Sequence, residues 1–294
     1  MEDAHVQTKS ICALALGASL LVAALASSTG TTAAAGDEAK YPDLRGRWDG
    51  VLRTKPGLPG QPSFDAGKAW GKGQEAPLTA EYQAVLDANL KSQAEGGAGD
   101  WLGADCKGFG MPLIAYGFVP MEFIVTPETT YVLVNWVEHT RRIYTDGREW
   151  PKEIEPTLTG YSIGKWIDED GDGRYDVLEV ETRGFKGPRH YDAAGLPPHR
   201  DNESVFKERI SLDKTNKNLL HNEITVYDHA LTRPWTVTRT LRRAANPRPD
   251  WPEFICAENN PYVTIGGETY FLSAEGLLMP MRKGQPTPDL RFFK

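Results

Sequence analysis

Cysteine is scarce in this chain: three in 294 residues, at Cys12, Cys106 and Cys256. No His-x-x-x-His pair occurs, so the common helical zinc spacing is missing. Neither a Gly-x-Ser-x-Gly elbow nor a phosphate-cradling glycine loop is present, which leaves serine hydrolases and nucleotide-dependent enzymes without support. Basic residues do not cluster, and acidic ones outnumber them, 40 against 33. Neutralising phosphates requires clustered Lys and Arg, so no nucleic acid is expected as a partner. No apolar run reaches the roughly 20 residues of a spanning helix, and no internal repeat is visible.

The N-terminus is informative. Lys9 precedes an apolar run from Ile11 to Ala26, and Ala33-Ala34-Ala35 supplies an A-x-A cleavage site before Gly36. Residues 1–35 therefore read as a secretory signal, and the mature protein is expected to be secreted or periplasmic, with no membrane span after cleavage. The signal carries Glu2, Asp3 and Lys9, so its removal takes the formal net charge from −7 to −6. In an oxidising compartment the remaining pair, Cys106 and Cys256, suggests one disulfide; the alternative is two unrelated buried thiols. The bridge would close a loop of roughly 150 residues and stabilise by about 3–5 kcal/mol through the unfolded chain.

The 8 Trp, 11 Tyr and 21 Pro favour strands and loops over a helical bundle. Residues 36–75 read as irregular, apart from a strand near Arg47–Arg53. There Gly46-Arg47-Trp48 resembles the start of lipocalin-like barrels, where the Trp plugs the closed end. A helix is predicted from a Thr79 cap, with Glu81 in its first turn and Tyr82, Val85, Leu86, Asn89 and Leu90 on one face, up to Gly96-Gly97. From Met121 the apolar period becomes two. It predicts strands at Met121–Thr126, Thr130–Glu138, Arg141–Thr145, Tyr161–Ile167, Tyr175–Thr182, Val205–Leu212, Leu219–Tyr227, Trp235–Arg242 and Tyr262–Leu272. Short turns without helices between them argue for an antiparallel meander β-barrel, lipocalin- or calycin-like, with one N-terminal helix and long loops, as a single domain over 76–294.

Several motifs between Thr79 and Asn260 resemble a family of secreted bacterial proteins. They include Gly110-Met111-Pro112 after Cys106, Pro120-Met121-Glu122-Phe123-Ile124 and Arg141-Arg142-Ile143-Tyr144-Thr145-Asp146-Gly147-Arg148. Ser162-Ile163-Gly164-Lys165-Trp166, Glu208-Arg209, Thr232-Arg233-Pro234-Trp235 and Cys256-Ala257-Glu258-Asn259 continue the match. The resemblance implies export and a β-rich domain; it implies no reaction.

One loop departs from that pattern. Asp168, Asp170, Asp172, Gly173, Asp176 and Glu179 occupy positions one, three, five, six, nine and twelve of a calcium loop of the EF-hand type. The ligand set would be Asp168, Asp170, Asp172, the Arg174 carbonyl, Asp176 and Glu179, and the ion structural Ca2+. The loop lies between strands, where Asp176 and Glu179 point to opposite faces, so Glu179 is the ligand most exposed to missing the ion. The competing reading is a solvated acidic hairpin.

Further positions carry possible chemistry. Glu208 interrupts the apolar face of Phe206, Ile210 and Leu212, so it is either paired, for example with Arg142 or Arg233, or held protonated. Arg142 and Tyr144 share a strand face and suit a bound carboxylate or phenol; alternatively they serve a hairpin. His190, Tyr191 and His199 lie in the Pro/Gly-rich loop Gly187–Asn202, with Asp192 and Asp201, and could form an acid–base cluster at a barrel mouth. Together these predict a cofactor-independent lyase or isomerase acting on a small aromatic or hydrophobic molecule. Glu208 or His199 would be the base, with Arg142 and Tyr144 stabilising charge. His190, Tyr191, Arg233 and Trp235 would bind the substrate, and no organic cofactor is expected. The alternatives are a non-catalytic carrier of a small hydrophobic ligand and a calcium-stabilised secreted structural protein.

Overall fold

The computed structural model describes residues 40–51, 76–97, 99, 110–116, 120–135, 139–191, 196–246, 248–251 and 261–291. The signal segment, Cys106, Cys256 and Asp192 lie outside the described residues. Nine strands close a barrel: β1 Arg47–Gly50, β2 Met121–Val125, β3 Thr129–Val134, β4 His139–Tyr144, β5 Tyr161–Ile167, β6 Val177–Arg183, β7 Val205–Leu212, β8 Leu219–Tyr227 and β9 Trp235–Arg243. The alternating apolar pattern makes these segments strands, because period two puts every second side chain on the inner face. Phe206, Glu208 and Ile210 of β7 are buried, while Val205, Lys207 and Arg209 between them are not.

The meander has one parallel step. β4 and β5 run parallel, with Ile143 opposite Ser162 and Tyr144 opposite Ile163, while every other neighbouring pair, including β1 with β9, is antiparallel. Parity requires this: an odd number of strands cannot close on itself with alternating directions alone. A parallel return needs a crossover of about a dozen residues or more, and residues 145–160 provide it.

That crossover accounts for much of the Arg141–Arg148 motif. Gly147 turns the chain at φ +78°. Arg148 then folds back over the Tyr144 ring at 3.7 Å and is held by Asp146 at 2.6 Å. Arg183 covers Trp150 at 4.7 Å. Arg142 and Tyr144 thus stand on the outer face of the barrel, and Arg141 and Ile143 on the inner one.

β6 starts two residues later than expected, at Val177. Tyr175 and Asp176 stay in the loop, since Tyr175 N donates to Lys40 O at 2.7 Å and Asp176 N to Ile167 O at 2.8 Å. The first strand comes from the segment 36–75, so the barrel is not built from 76–294 alone. At the C-terminus, the run Tyr262–Leu272 is two strands: β10 Tyr262–Ile265 and β11 Glu268–Leu272 turn at Gly266-Gly267, both with positive φ. With β12, Leu278–Pro280, they form a separate three-stranded sheet.

The helix α1, Ala80–Ala94, starts where expected: the Thr79 side chain accepts from Tyr82 N. It buries Tyr82, Leu86 and Asn89. The chain just before it is pinned to the β8–β9 connection by Thr79 N to Ala230 O and Thr232 N to Pro77 O. Among the described residues, no helix is long and apolar enough to cross a membrane.

Both ends of the barrel are stoppered. At one end Trp48 is fully buried, its Nε1 donates to Leu44 O at 2.8 Å, and Arg243 covers its ring at 4.4 Å. This is the Trp plug expected from Gly46-Arg47-Trp48. At the other end Tyr191 and Leu196 are fully buried, and Tyr191 meets Trp235 edge-on at 5.4 Å. Arg189 of the same loop donates to Ser204 Oγ at 2.9 Å and to Met111 O at 3.2 Å.

Candidate functional site

The interior is the first place to test for a site. Glu208 is 1% exposed and sits inside the wall formed by β4 to β8. Arg141 grips both of its oxygens: Nη1 donates to Oε1 at 3.1 Å and Nη2 to Oε2. Asn222 Nδ2 donates to Oε1 at 2.9 Å. The rest of the guanidinium is also used, Nε donating to Ser162 Oγ at 3.1 Å and Nη2 to Thr182 Oγ1 at 2.7 Å. A buried carboxylate with a bidentate guanidinium partner and a third donor is structurally satisfied.

Nor is there room for one. The free volume beside Arg141 and Asn222, walled by Met111, Phe123, Ile210 and Leu241, is about 10 Å³. That is at the threshold for a single water molecule, far below the several hundred Å³ of a ligand pocket. The space beside Arg141 and Asn222 is therefore too small for the expected substrate.

The expected catalytic and binding residues do not converge. Glu208 is paired, but with Arg141 and not with Arg142 or Arg233. Arg142 is exposed, its guanidinium 5.8 Å from the Tyr131 ring centroid on the outer surface, and Tyr144 lies under Arg148. Arg233 is exposed, whereas His190, Tyr191 and Trp235 are buried parts of the stopper.

The acidic loop gathers in part. One oxygen from each of Asp168, Asp170 and Asp176 lies within 4.8 Å of the others. Asp168 is oriented by Gly171 N at 2.7 Å and Gly173 N at 2.9 Å, and both glycines have positive φ. Asp176 accepts from Glu169 N at 2.9 Å. Asp172 accepts from Arg174 N at 2.8 Å within its own turn and stands outside the three-carboxylate group. Glu179 is turned away. It lies in β6 opposite Arg209, and Arg209 bridges it to Glu169. An all-oxygen donor set suits a hard cation such as Ca2+, and Glu179 does not belong to it. The loop borders an open polar cleft of about 950 Å³ at the Trp48 end, shared with Asp43, Asp213, His221 and Arg243.

At the opposite end, His199 falls next to residues whose role the sequence did not signal. Asp228, after β8, accepts from His199 N at 2.9 Å, from Ala230 N at 2.8 Å and from Ser204 Oγ. These bonds tie the 196–204 segment to the β8–β9 turn and bring His229 to His199. Both imidazoles face one oxygen of Asp201: His199 Nδ1 lies 2.8 Å and His229 Nδ1 2.6 Å from Oδ2. Burial alone would raise the Asp201 carboxyl. The Glu203 backbone amide, His229 and His199 overcome it and hold the group down at about 2. Asp201 in turn raises His229 above the ordinary imidazole value of 6.5.

The sign of the pH dependence follows. The lowered Asp201 stabilises the fold above its unfolded value of 3.8, and that contribution is lost as pH falls toward about 2. The raised His229 contributes below 6.5, and loses its contribution as pH climbs through its folded value. Wild type is therefore expected to lose more thermal stability than Asp201→Asn between pH 4 and pH 2. Melting curves at stepped pH check this, and parallel losses in the two proteins would contradict it.

Compared with protein-family models and with curated proteins, the sequence finds no match.

Proposed function

We propose that this chain is an exported, calcium-stabilised barrel protein of the secreted bacterial family its motifs resemble, and that its interior is structural. What supports the reading is the tight packing beside Arg141 and Asn222. The apolar side chains around the Arg141–Glu208 pair leave about 10 Å³ at that place, which speaks against a carrier's ligand or an aromatic substrate lodged beside Arg141. The acid–base reading that uses Glu208, Arg142 and Tyr144 loses its geometry there. The calcium reading rests on Asp168, Asp170 and Asp176, with Asp172, the Arg174 carbonyl and water available to complete the six to eight oxygens that Ca2+ takes. The ion would tie the β5–β6 turn down over the Trp48 end.

Two measurements on the mature protein test this. Calcium at about 100 times its dissociation constant should add about 2.7 kcal/mol of stability, read as a higher melting midpoint than in chelator. Asp168→Asn with Asp170→Asn should abolish that difference. A midpoint indifferent to calcium would overturn the ion assignment. Stoichiometric uptake of a fluorescent fatty acid into the barrel, weakened by filling the small void at Ala115, would overturn the filled-interior reading.

A further inference from the structure

We propose that His199, Asp201 and His229 form a binding site for a divalent transition metal of the zinc class. The site lies at the stoppered end opposite the acidic loop and is independent of it. One ligand atom from each of the three residues lies within 4.8 Å of the other two. Two imidazoles and one carboxylate are the three protein ligands typical of a metal centre that keeps open positions. Imidazole nitrogens favour zinc, cobalt, nickel, copper or iron(II) over calcium, which prefers oxygen alone.

The ligands come from two separated stretches, yet each is fixed by a neighbour. Asp201 Oδ1 is occupied by Glu203 N at 3.0 Å, so the carboxylate presents Oδ2 alone to the imidazoles. Asp201 N also approaches His199 Nδ1, at 3.3 Å, so this nitrogen is held on the carboxylate's side of the ring. The His199 ring rests on Tyr82 at 5.1 Å, and Tyr82 Oη accepts from Arg200 N at 3.1 Å, so helix α1 holds the loop from behind. Asn202, next in the chain, has φ +61° and is the one non-glycine residue with positive φ among the described residues. Such a conformation re-aims the chain between Asp201 and Glu203.

Metal–ligand bonds of about 2.0–2.1 Å at tetrahedral angles put ligand atoms about 3.3 Å apart. The two Nδ1–Oδ2 distances of 2.8 and 2.6 Å need to open by less than about 1 Å to reach this. His229 is 64% exposed at its side chain, so its ring can turn without disturbing the core. An open hollow of about 320 Å³ adjoins the site, lined by Glu203, Tyr227, His229 and Arg233 among others. The remaining coordination positions are therefore reachable by water or by a small anion, with Arg233 placed to receive a carboxylate.

The test uses the mature protein with calcium in excess, so that the acidic loop cannot take the second metal. Titration with Co2+ should produce the visible d–d absorption of a low-symmetry nitrogen/oxygen site at one equivalent, and Zn2+ should abolish it. His229→Gln changes an exposed side chain and should fold normally, yet weaken Zn2+ binding by more than about 100-fold, beyond what loss of an outer-shell partner costs. Asp201→Asn should weaken it similarly, and Asp168→Asn should leave it unchanged. Absence of a one-equivalent cobalt spectrum would overturn the site. So would Zn2+ affinity that is unaffected by His229→Gln or lost in Asp168→Asn.

Discussion

Arg141→Met is expected to destabilise the barrel by about 3–5 kcal/mol, the range for stranding one member of a buried ion pair. Glu208 would keep only the Asn222 amide, at 2.9 Å, inside an apolar wall. Ser162 and Thr182 would lose the guanidinium that joins them to it, though they hold each other at 2.9 Å. Arg142→Met, one residue along, should change stability by no more than about 0.5 kcal/mol, because that side chain is exposed. The two neighbours thus test which face of β4 is inside. The double change Arg141→Met with Glu208→Leu should recover most of the loss, since apolar residues of similar volume often replace buried pairs at little cost. Denaturant midpoints, with unchanged slopes, are the readout. Equal effects of the Arg141 and Arg142 changes would mean the register assigned to β4 is wrong.

Trp48→Ala should cost about 3–5 kcal/mol, as for other fully buried Trp truncations. Its effect is amplified by the thin pairing of β1. That strand meets β2 through Arg47–Glu122 and Trp48–Met121, and β9 through three opposed positions. With so few ladder bonds, the plug itself holds the barrel shut. Removing it also leaves Arg243 without the ring it covers and Leu44 O without its donor. Hydrogen exchange should accelerate first at the Val51 amide, which donates to Thr240 O at 3.0 Å across the β1–β9 seam. Trp48→Phe keeps most of the packing and loses one hydrogen bond, so a cost of about 1–2 kcal/mol is expected beyond the area change. Exchange at Val51 that stays at the wild-type rate in Trp48→Ala would show that the seam is held by other contacts.

The strands were the most legible part of the chain. Val205–Leu212 and Leu219–Tyr227 are found at the residues the two-residue period marks. The burial of Glu208 was legible too, from its place among Phe206, Ile210 and Leu212. Its partner was not. Arg141 stands 67 positions away in the chain, and adjacent Arg142 has the same chemistry. Only the register of β4 against its neighbours decides which one points inward. The same parity decides Glu179, which β6 turns outward toward Arg209. Loop residues were less legible still. His199 and Asp201 stood out by type, whereas His229 joins them only because Asp228 ties two distant segments together.

By itself the amino-acid order determined a strand-rich barrel with a Trp plug, one capped helix and an acidic turn, because apolar period, caps and glycines act over a few residues. Whether the barrel is hollow, which arginine meets Glu208 and which carboxylates and imidazoles gather were decided by closure. The inner volume depends on the summed side chains of nine strands, and contact between remote residues depends on a register that a one-residue shift would reverse.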